Sequence, residues 1–115
     1  MKKYYLLVCY VNKKSLLEKI LGVMFELGAG GATVIKSFGI GRSQVEDAML
    51  FTGFKDLINK STEKDHFTIH CIIPSSLKEK ITKKLTSTYG NFKDPSVGLF
   101  SIITIDEVYG LSEAR

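Results

Sequence analysis

The chain reads as one α+β domain, and three observations carry that reading. Its 115 residues suit a single hydrophobic core. Apolar runs of strand length alternate with helix-period stripes in the order β-α-β, long connection, β-α-β. The two halves match in element order and length, without a close sequence repeat. Two such units predict a split βαβ, ferredoxin-like sandwich: a four-stranded antiparallel sheet with two helices on one face. Right-handed crossovers place both helices on that same face. The whole of 1–115 is expected to be this single domain, with a long segment at 41–65 and a tail at 107–115.

Each element has its own justification. Tyr4–Val11 is a continuous apolar, β-prone run bounded by lysines and Asn12, as a central strand requires. Asn12 is placed to cap the helix that follows. In that helix Leu16, Ile20, Val23 and Leu27 recur at three- and four-residue spacing, and Leu17, Leu21 and Met24 widen the stripe. Gly28 stops it in the usual C-terminal position. Gly22 inside it costs about 1 kcal/mol against alanine; close packing on the sheet and simple neutrality both explain it. Ala32–Ile40 is the second strand, with Thr33 and Ile35 toward one face, Val34 and Phe38 toward the other, and Lys36 near an edge. His66–Ile73 alternates cleanly, Phe67, Ile69, Cys71 and Ile73 against Thr68, His70 and Ile72, and Pro74 ends it. Ser76 with Glu79 has the pattern of a capping box. Leu77, Ile81 and Leu85 then form a narrow apolar stripe, with Lys78, Lys80, Lys83 and Lys84 around it as a solvated face. The helix stops near Gly90, Asp94-Pro95 marks a turn, and Val97–Ile105 is the fourth strand. In the polar tail Asp106–Arg115, Tyr109-Gly110-Leu111 is the expected anchor.

Composition narrows the function classes. Net charge is +4, carried mainly by dispersed lysines. Nucleic-acid binding calls for a dense basic stripe with aromatics, and none is present. No apolar stretch reaches the ~20 residues of a membrane span. The N-terminus is basic and then apolar, but no small-residue cleavage site precedes Asn12-Lys13-Lys14, so no signal peptide is expected. Two cysteines are too few for a disulfide framework. The expected location is the cytoplasm.

The stretch Gly28–Arg42 organises the rest. A glycine-rich turn leads into the second strand, and Gly39 and Gly41 close it just before Arg42. Glycine tolerates positive φ and lets other groups approach the backbone. Gly41–Asp65 is then too long for an ordinary connection. Within it Leu50, Phe54, Leu57 and Ile58 fall at helical spacing, which predicts a short helix over Ala48–Asn59. That helix either packs on the domain or offers its apolar face, with Leu50, Phe51, Phe54 and Leu57, to a partner. Every strand carries hydrophobic residues on both sides, so two layers alone leave an apolar sheet face uncovered. A homo-oligomer that buries this face is therefore expected.

These residues resemble a known family. Gly31-Ala32-Thr33-Val34 followed by Gly39-Ile40-Gly41-Arg42 is similar to the second strand and loop entry of the P-II nitrogen-regulatory proteins, and Glu26-Leu27-Gly28 fits the preceding helix end. The shorter P-II-like proteins are a nearer match, through Phe51-Thr52-Gly53-Phe54, Asp94-Pro95, Gly98-Leu99-Phe100 and Val108-Tyr109-Gly110-Leu111. The resemblance runs through nearly the whole chain in order and spacing. It implies a signal-transduction protein rather than an enzyme, and a homotrimer with its sheets lining the middle. It implies an adenine nucleotide such as ATP, ADP or AMP in the clefts between subunits. It also implies a long T-loop that docks on a transporter, enzyme or regulator, a membrane protein included. By motif, Thr33, Gly39, Gly41 and Arg42 match positions near the nucleotide. A glycine corner can offer backbone N–H groups to phosphate, and arginine can bind it in a bidentate manner.

The sequence also departs from that family. Asn91-Phe92-Lys93-Asp94-Pro95-Ser96-Val97 stands where typical members have a glycine-rich basic loop. Leu99 stands in place of an expected lysine, Ser43 in place of a glutamine, and paired arginines are missing around Gly110–Ser112. No tyrosine lies between Arg42 and Asp65, so the tyrosine-modification switch of some members is missing. Most of the charge that would neutralise phosphate is gone, which leaves a less charged ligand, or none, open.

Other chemistries find little footing. Cys9 and Cys71 fall on neighbouring strands, most simply as buried, reduced thiols. His66 and His70 share a strand face without cysteines and with Asp65 as the nearby carboxylate, a weak metal set. The Gly28–Gly31 cluster lacks the spacing and following helix of a dinucleotide motif. Three functional classes follow: a ligand-sensing P-II-like regulator, a non-sensing adaptor whose loop helix binds a protein or membrane surface, and a small metal-binding protein of the same fold.

Overall fold

The computed structural model describes residues 3–62 and 64–111. Its elements are β1 (Tyr4–Val11), α1 (Lys14–Glu26), β2 (Thr33–Ser37), α2 (Arg42–Asp47), a π-helical turn (Ala48–Thr52), α3 (Gly53–Thr62), β3 (His66–Pro74), a 3-10 turn (Ser75–Leu77), α4 (Lys78–Thr88) and β4 (Gly98–Ile105). The strands form one four-stranded sheet in the order β2-β3-β1-β4. All three pairings are antiparallel. This is the ferredoxin-like α+β sandwich, with α1 and α4 on one face.

The period-2 pattern of the strands determines what that face buries. Leu7, Cys9 and Val11 of β1 and Ile69, Cys71 and Ile73 of β3 meet Leu16, Leu17, Ile20 and Met24 of α1 and Ile81 and Leu85 of α4. Both cysteines are buried and free. Burial pushes the Cys9 thiol up to about 12 and the Cys71 thiol up to about 11. The Cys71 thiol donates to Gly31 O at 3.2 Å, tying β3 to the turn before β2.

Several local expectations are corrected. Asn12 does not cap α1: the cap is Lys13, with no side-chain hydrogen bond, and Asn12 Nδ2 donates instead to Ser96 O. The Ser76–Glu79 capping box does not form, because Ser76 lies inside the 3-10 turn and Leu77 caps α4. Strand β2 is shorter than Ala32–Ile40, since Phe38 to Gly41 have left the ladder with β3. Gly22 points to solvent, and a methyl group there would meet nothing within 4 Å, so it is not a packing contact. Tyr109 is 86% exposed and Leu111 is exposed, so the tail through residue 111 is not anchored as expected; residues 112–115 lie outside the described residues.

The largest difference lies in 41–65. The segment is helical almost throughout, from Arg42 to Thr62, rather than a loop with one short helix. Gly53 takes φ 78° and turns the chain between its two limbs. The π turn, α2 and α3 pack on one another, with Ala48, Leu57 and Ser61 buried. The result is an arm on a small domain. The molecule measures 53 × 29 × 20 Å with a radius of gyration of 16.3 Å, against about 13 Å for a compact chain of this length.

Candidate functional site

The four strands converge at one end of the sheet, where β1 and β2 finish and β3 and β4 begin. A cleft of about 260 Å³ opens there. β1 and its exit contribute Tyr10, Val11 and Asn12; β2 and its exit contribute Ser37, Phe38 and Gly39; β3 contributes His66, Phe67 and Thr68; the entry to β4 contributes Ser96 and Gly98. The root of the arm is one wall of this cleft. Ser37 and Thr68 share a hydroxyl hydrogen bond of 2.9 Å, and Lys36 pairs with Asp65 at 3.9 Å across the base of the arm. Gly39 packs on His66, whose Nδ1 would lie 3.5 Å from an added Cβ.

The floor on the β4 side is tightly built. Gly98 enters β4 at φ 132°, and a Cβ there would overlap Tyr10 O. The buried Tyr89 hydroxyl lies 3.0 Å from Tyr10 O and 3.1 Å from Leu99 O, two residues that face each other across the β1–β4 ladder. Burial, first of all, pushes the Tyr89 hydroxyl well above the usual tyrosine range, so it stays a donor. Its ring stacks with Phe92 at 5.3 Å and tilts against Phe100 at 5.6 Å. Asp94 Oδ1 accepts from Ser96 N at 2.9 Å and Ser96 Oγ at 2.6 Å. These two bonds hold the Asp94 carboxyl below the usual range and set the loop that brings Ser96 to the cleft. Asn12 Nδ2 closes the wall onto Ser96 O, while Asn12 Oδ1 is buried and accepts no hydrogen bond among the described residues.

The residues expected near a nucleotide divide. Gly39 lines the cleft. Gly41 and Arg42 do not; they open α2. The Gly41 N–H is taken by Gln44 Oε1 at 2.8 Å, and the Arg42 side chain, 94% exposed, pairs with Glu46 at 3.2 Å. Thr33 begins β2 opposite His70, on the sheet face away from the helices. Six residues of extended chain separate it from Gly39, about 20 Å at strand rise, so one chain does not bring the two together. Among the described residues, no lysine or arginine lines the cleft. The corner's backbone donor and its arginine are both engaged elsewhere. Within this single chain, the lining of the cleft therefore offers no cationic side chain among the described residues to the phosphates of ATP, ADP or AMP.

Asn12, Ser96, Tyr10, Phe38 and Thr68 line the cleft, and the sequence marks none of them as a site residue. The strand order brings them together, and the Asp94-Pro95 turn was the nearest local signal.

The arm is the second candidate surface. Leu50 is 73% and Phe51 82% exposed, and Met49 and Phe54 stand out beside them near the Gly53 bend. Leu57, expected on the same outward face, is buried inside the arm. His66 and His70 share the open sheet face, and no group of three or more His, Cys, Asp or Glu able to hold a metal ion occurs among the described residues. No helix among the described residues is long and apolar enough to cross a membrane.

No protein-family model matches the chain. No match was found among curated proteins. Solved structures do match. The crystal structure of Arabidopsis thaliana PII bound to citrate aligns over 90% of this chain and 78% of its own, at 10% identity and a TM-score of 0.59. A Bacillus cereus protein related to NIF3 aligns over 92% of this chain at 15% identity and a TM-score of 0.59, and this chain spans 26% of that protein's length. Identities this low speak to backbone and not to activity, and on that footing the chain has a P-II-like fold.

Proposed function

We propose that the protein is a P-II-like regulatory protein and not an enzyme. It works as a homotrimer in the cytoplasm, takes a small ligand in the cleft at Gly39, and signals to a partner protein through the arm. One observation carries this reading: a bare apolar sheet face belongs to the same small domain as a cleft at the root of a projecting arm. Tyr10, Ile35, Leu99 and Ile103 are all exposed on the sheet face opposite the helices. A monomer seldom leaves such a surface uncovered. Ligand in the cleft would touch Phe38 and Gly39, the residues leading into α2. A change there reaches the arm through two residues of backbone, Ile40 and Gly41.

Sedimentation velocity tests the assembly. A species of three 12.8 kDa chains is the expected result; a single chain at working concentration overturns the reading. The exposed Leu50, Phe51 and Phe54 favour a second reading, an adaptor that docks by this patch and senses nothing. Hydrogen exchange over Arg42–Thr62 separates the two, because only the sensor changes arm protection when its cleft is filled. The docking partner, a transporter or an enzyme, is then the protein that Phe51→Ser releases.

A further inference from the structure

We infer that the groove between α1 and the 90–97 loop is a site for a compact multivalent oxoanion of diphosphate size, held by Lys13, Lys19 and Lys93. It is separate from the cleft at Gly39, with which it shares no lining residue. Charge, size and backbone geometry each point to it.

Lys13, Leu16 and Lys19 follow at three-residue spacing along one flank of α1, and Lys93 lines the same groove from the loop. Among the described residues none of these three lysines has a carboxylate partner; the ion pairs there are Lys36–Asp65 and Arg42–Glu46. Asp94 is the one carboxylate in the lining, and its Oδ1 already accepts from Ser96 N and Ser96 Oγ. The lining therefore carries an excess of positive charge. Like charges gathered around one groove repel, and a multivalent anion among them turns that repulsion into attraction.

The groove encloses about 350 Å³, at the small end of the roughly 300–1,000 Å³ of ligand pockets. Two linked phosphoryl groups fit with part of their water. All three lysines are exposed, so neither they nor the anion must give up hydration completely, which keeps the desolvation cost low.

The far wall is held in an uncommon conformation. Gly90, Asn91 and Phe92 take φ 76°, 56° and 58° in succession, and Asn91 and Phe92 are the two non-glycine residues with positive φ among the described residues. A bulky side chain rarely adopts this backbone. It persists only where the surroundings impose it, and such positions cluster at ligand sites. Here Asn91 N donates to Thr86 O at 2.8 Å, and the Phe92 ring packs on Tyr89 at 5.3 Å and Phe100 at 5.7 Å. The left-handed run leads directly into Lys93, which lines the groove against α1.

Calorimetry on the full chain at low salt tests this with sodium pyrophosphate, phosphate and ADP. Pyrophosphate is expected to bind, and phosphate more weakly. Lys19→Gln with Lys93→Gln is expected to lower pyrophosphate affinity roughly tenfold or more, as the loss of charge-assisted hydrogen bonds implies. Lys80→Gln with Lys84→Gln removes the same charge from exposed positions of α4 outside the groove, and is expected to leave the affinity nearly unchanged. Circular dichroism checks that both variants fold, and Lys13→Gln, which leaves the loop intact, gives a second reading of the site. ADP carries the same two phosphates on a nucleoside and separates the sources. Affinity equal to that of pyrophosphate, lost in the same double variant, supports a site that reads the oxoanion alone. ADP bound far more tightly through Lys19 and Lys93 overturns the free oxoanion as the ligand. Absence of pyrophosphate binding overturns the site, and so do equal losses in the two double variants, because the attraction then belongs to net charge.

Discussion

Gly98 and Tyr89 show how single residues set the cleft's floor. At φ 132°, Gly98 lets the chain enter β4 directly over the Tyr10 carbonyl. An alanine there must displace that carbonyl or the strand. Gly98→Ala is expected to cost at least the 1–3 kcal/mol or so of a strained backbone position. A thermal melt reads this as a fall of several degrees; an unchanged midpoint would contradict the geometry. Tyr89→Phe keeps the aromatic stack and removes only the hydroxyl shared by Tyr10 O and Leu99 O. Its expected cost is about 1–3 kcal/mol, the range for a buried group left unpaired, and chemical denaturation measures it. Neither role was visible in the chain's linear order. In the sequence Gly98 reads as part of a family motif and Tyr89 carries no reading of its own, because the atoms that matter to them belong to the paired strands β1 and β4. Asn12 is the sharpest case. Its position invited a helix cap, and its actual partner, Ser96, lies 84 residues away.

Elements were more legible than residues wherever one face was buried. The alternation in β3 and the helical stripe of α1 point to their buried sides; of that stripe the structure buries Leu16, Leu17, Ile20 and Met24 and leaves Leu21, Val23 and Leu27 half-buried against the core. The arm was less legible for a physical reason. Arg42–Asp47 has no buried residue and so no apolar period to find; local bonds, Gln44 back to Gly41 and Arg42 to Glu46, hold its helix instead. Such pairs contribute only a few tenths of a kcal/mol each, too little to stand out in a sequence. Gly22 gives an element-scale prediction. It faces solvent inside α1 with open space around it, so Gly22→Ala should stabilise the fold by about 1 kcal/mol, seen as a higher denaturation midpoint. The arm gives another, which separates its inside from its outside. Leu57→Ala should open the arm and speed proteolysis within Arg42–Thr62, whereas Phe51→Ser should leave proteolysis unchanged and lower affinity for the docking partner. Equal proteolysis of the two variants would mean that Leu57 does not hold the arm together.

At the scale of the whole molecule the question is what covers the open sheet face. The helices cover one side of the sheet, and the register directs Leu99 and Ile103 of β4 to the other, opposite Tyr10 and Leu6 of β1. Leu99 is 54% and Ile103 49% exposed in the single chain. Both point to the face away from α1 and α4, so neither contributes to the buried core, whereas Phe100 and Ile102 of the same strand pack against it. Replacing both by lysine puts two charges where copies are proposed to meet, and the isolated fold loses little, since solvent already reaches these positions. Leu99→Lys with Ile103→Lys is thus expected to sediment as a folded single chain with unchanged circular dichroism, where the parent is expected to run as a trimer. Arm exposure to protease should stay as it was, because the arm's packing is its own. Ligand heat should also fall if Tyr10, shared by cleft and open face, needs a neighbouring copy to close over it. A double variant that remains trimeric would move the interface to another surface and separate the cleft from the assembly.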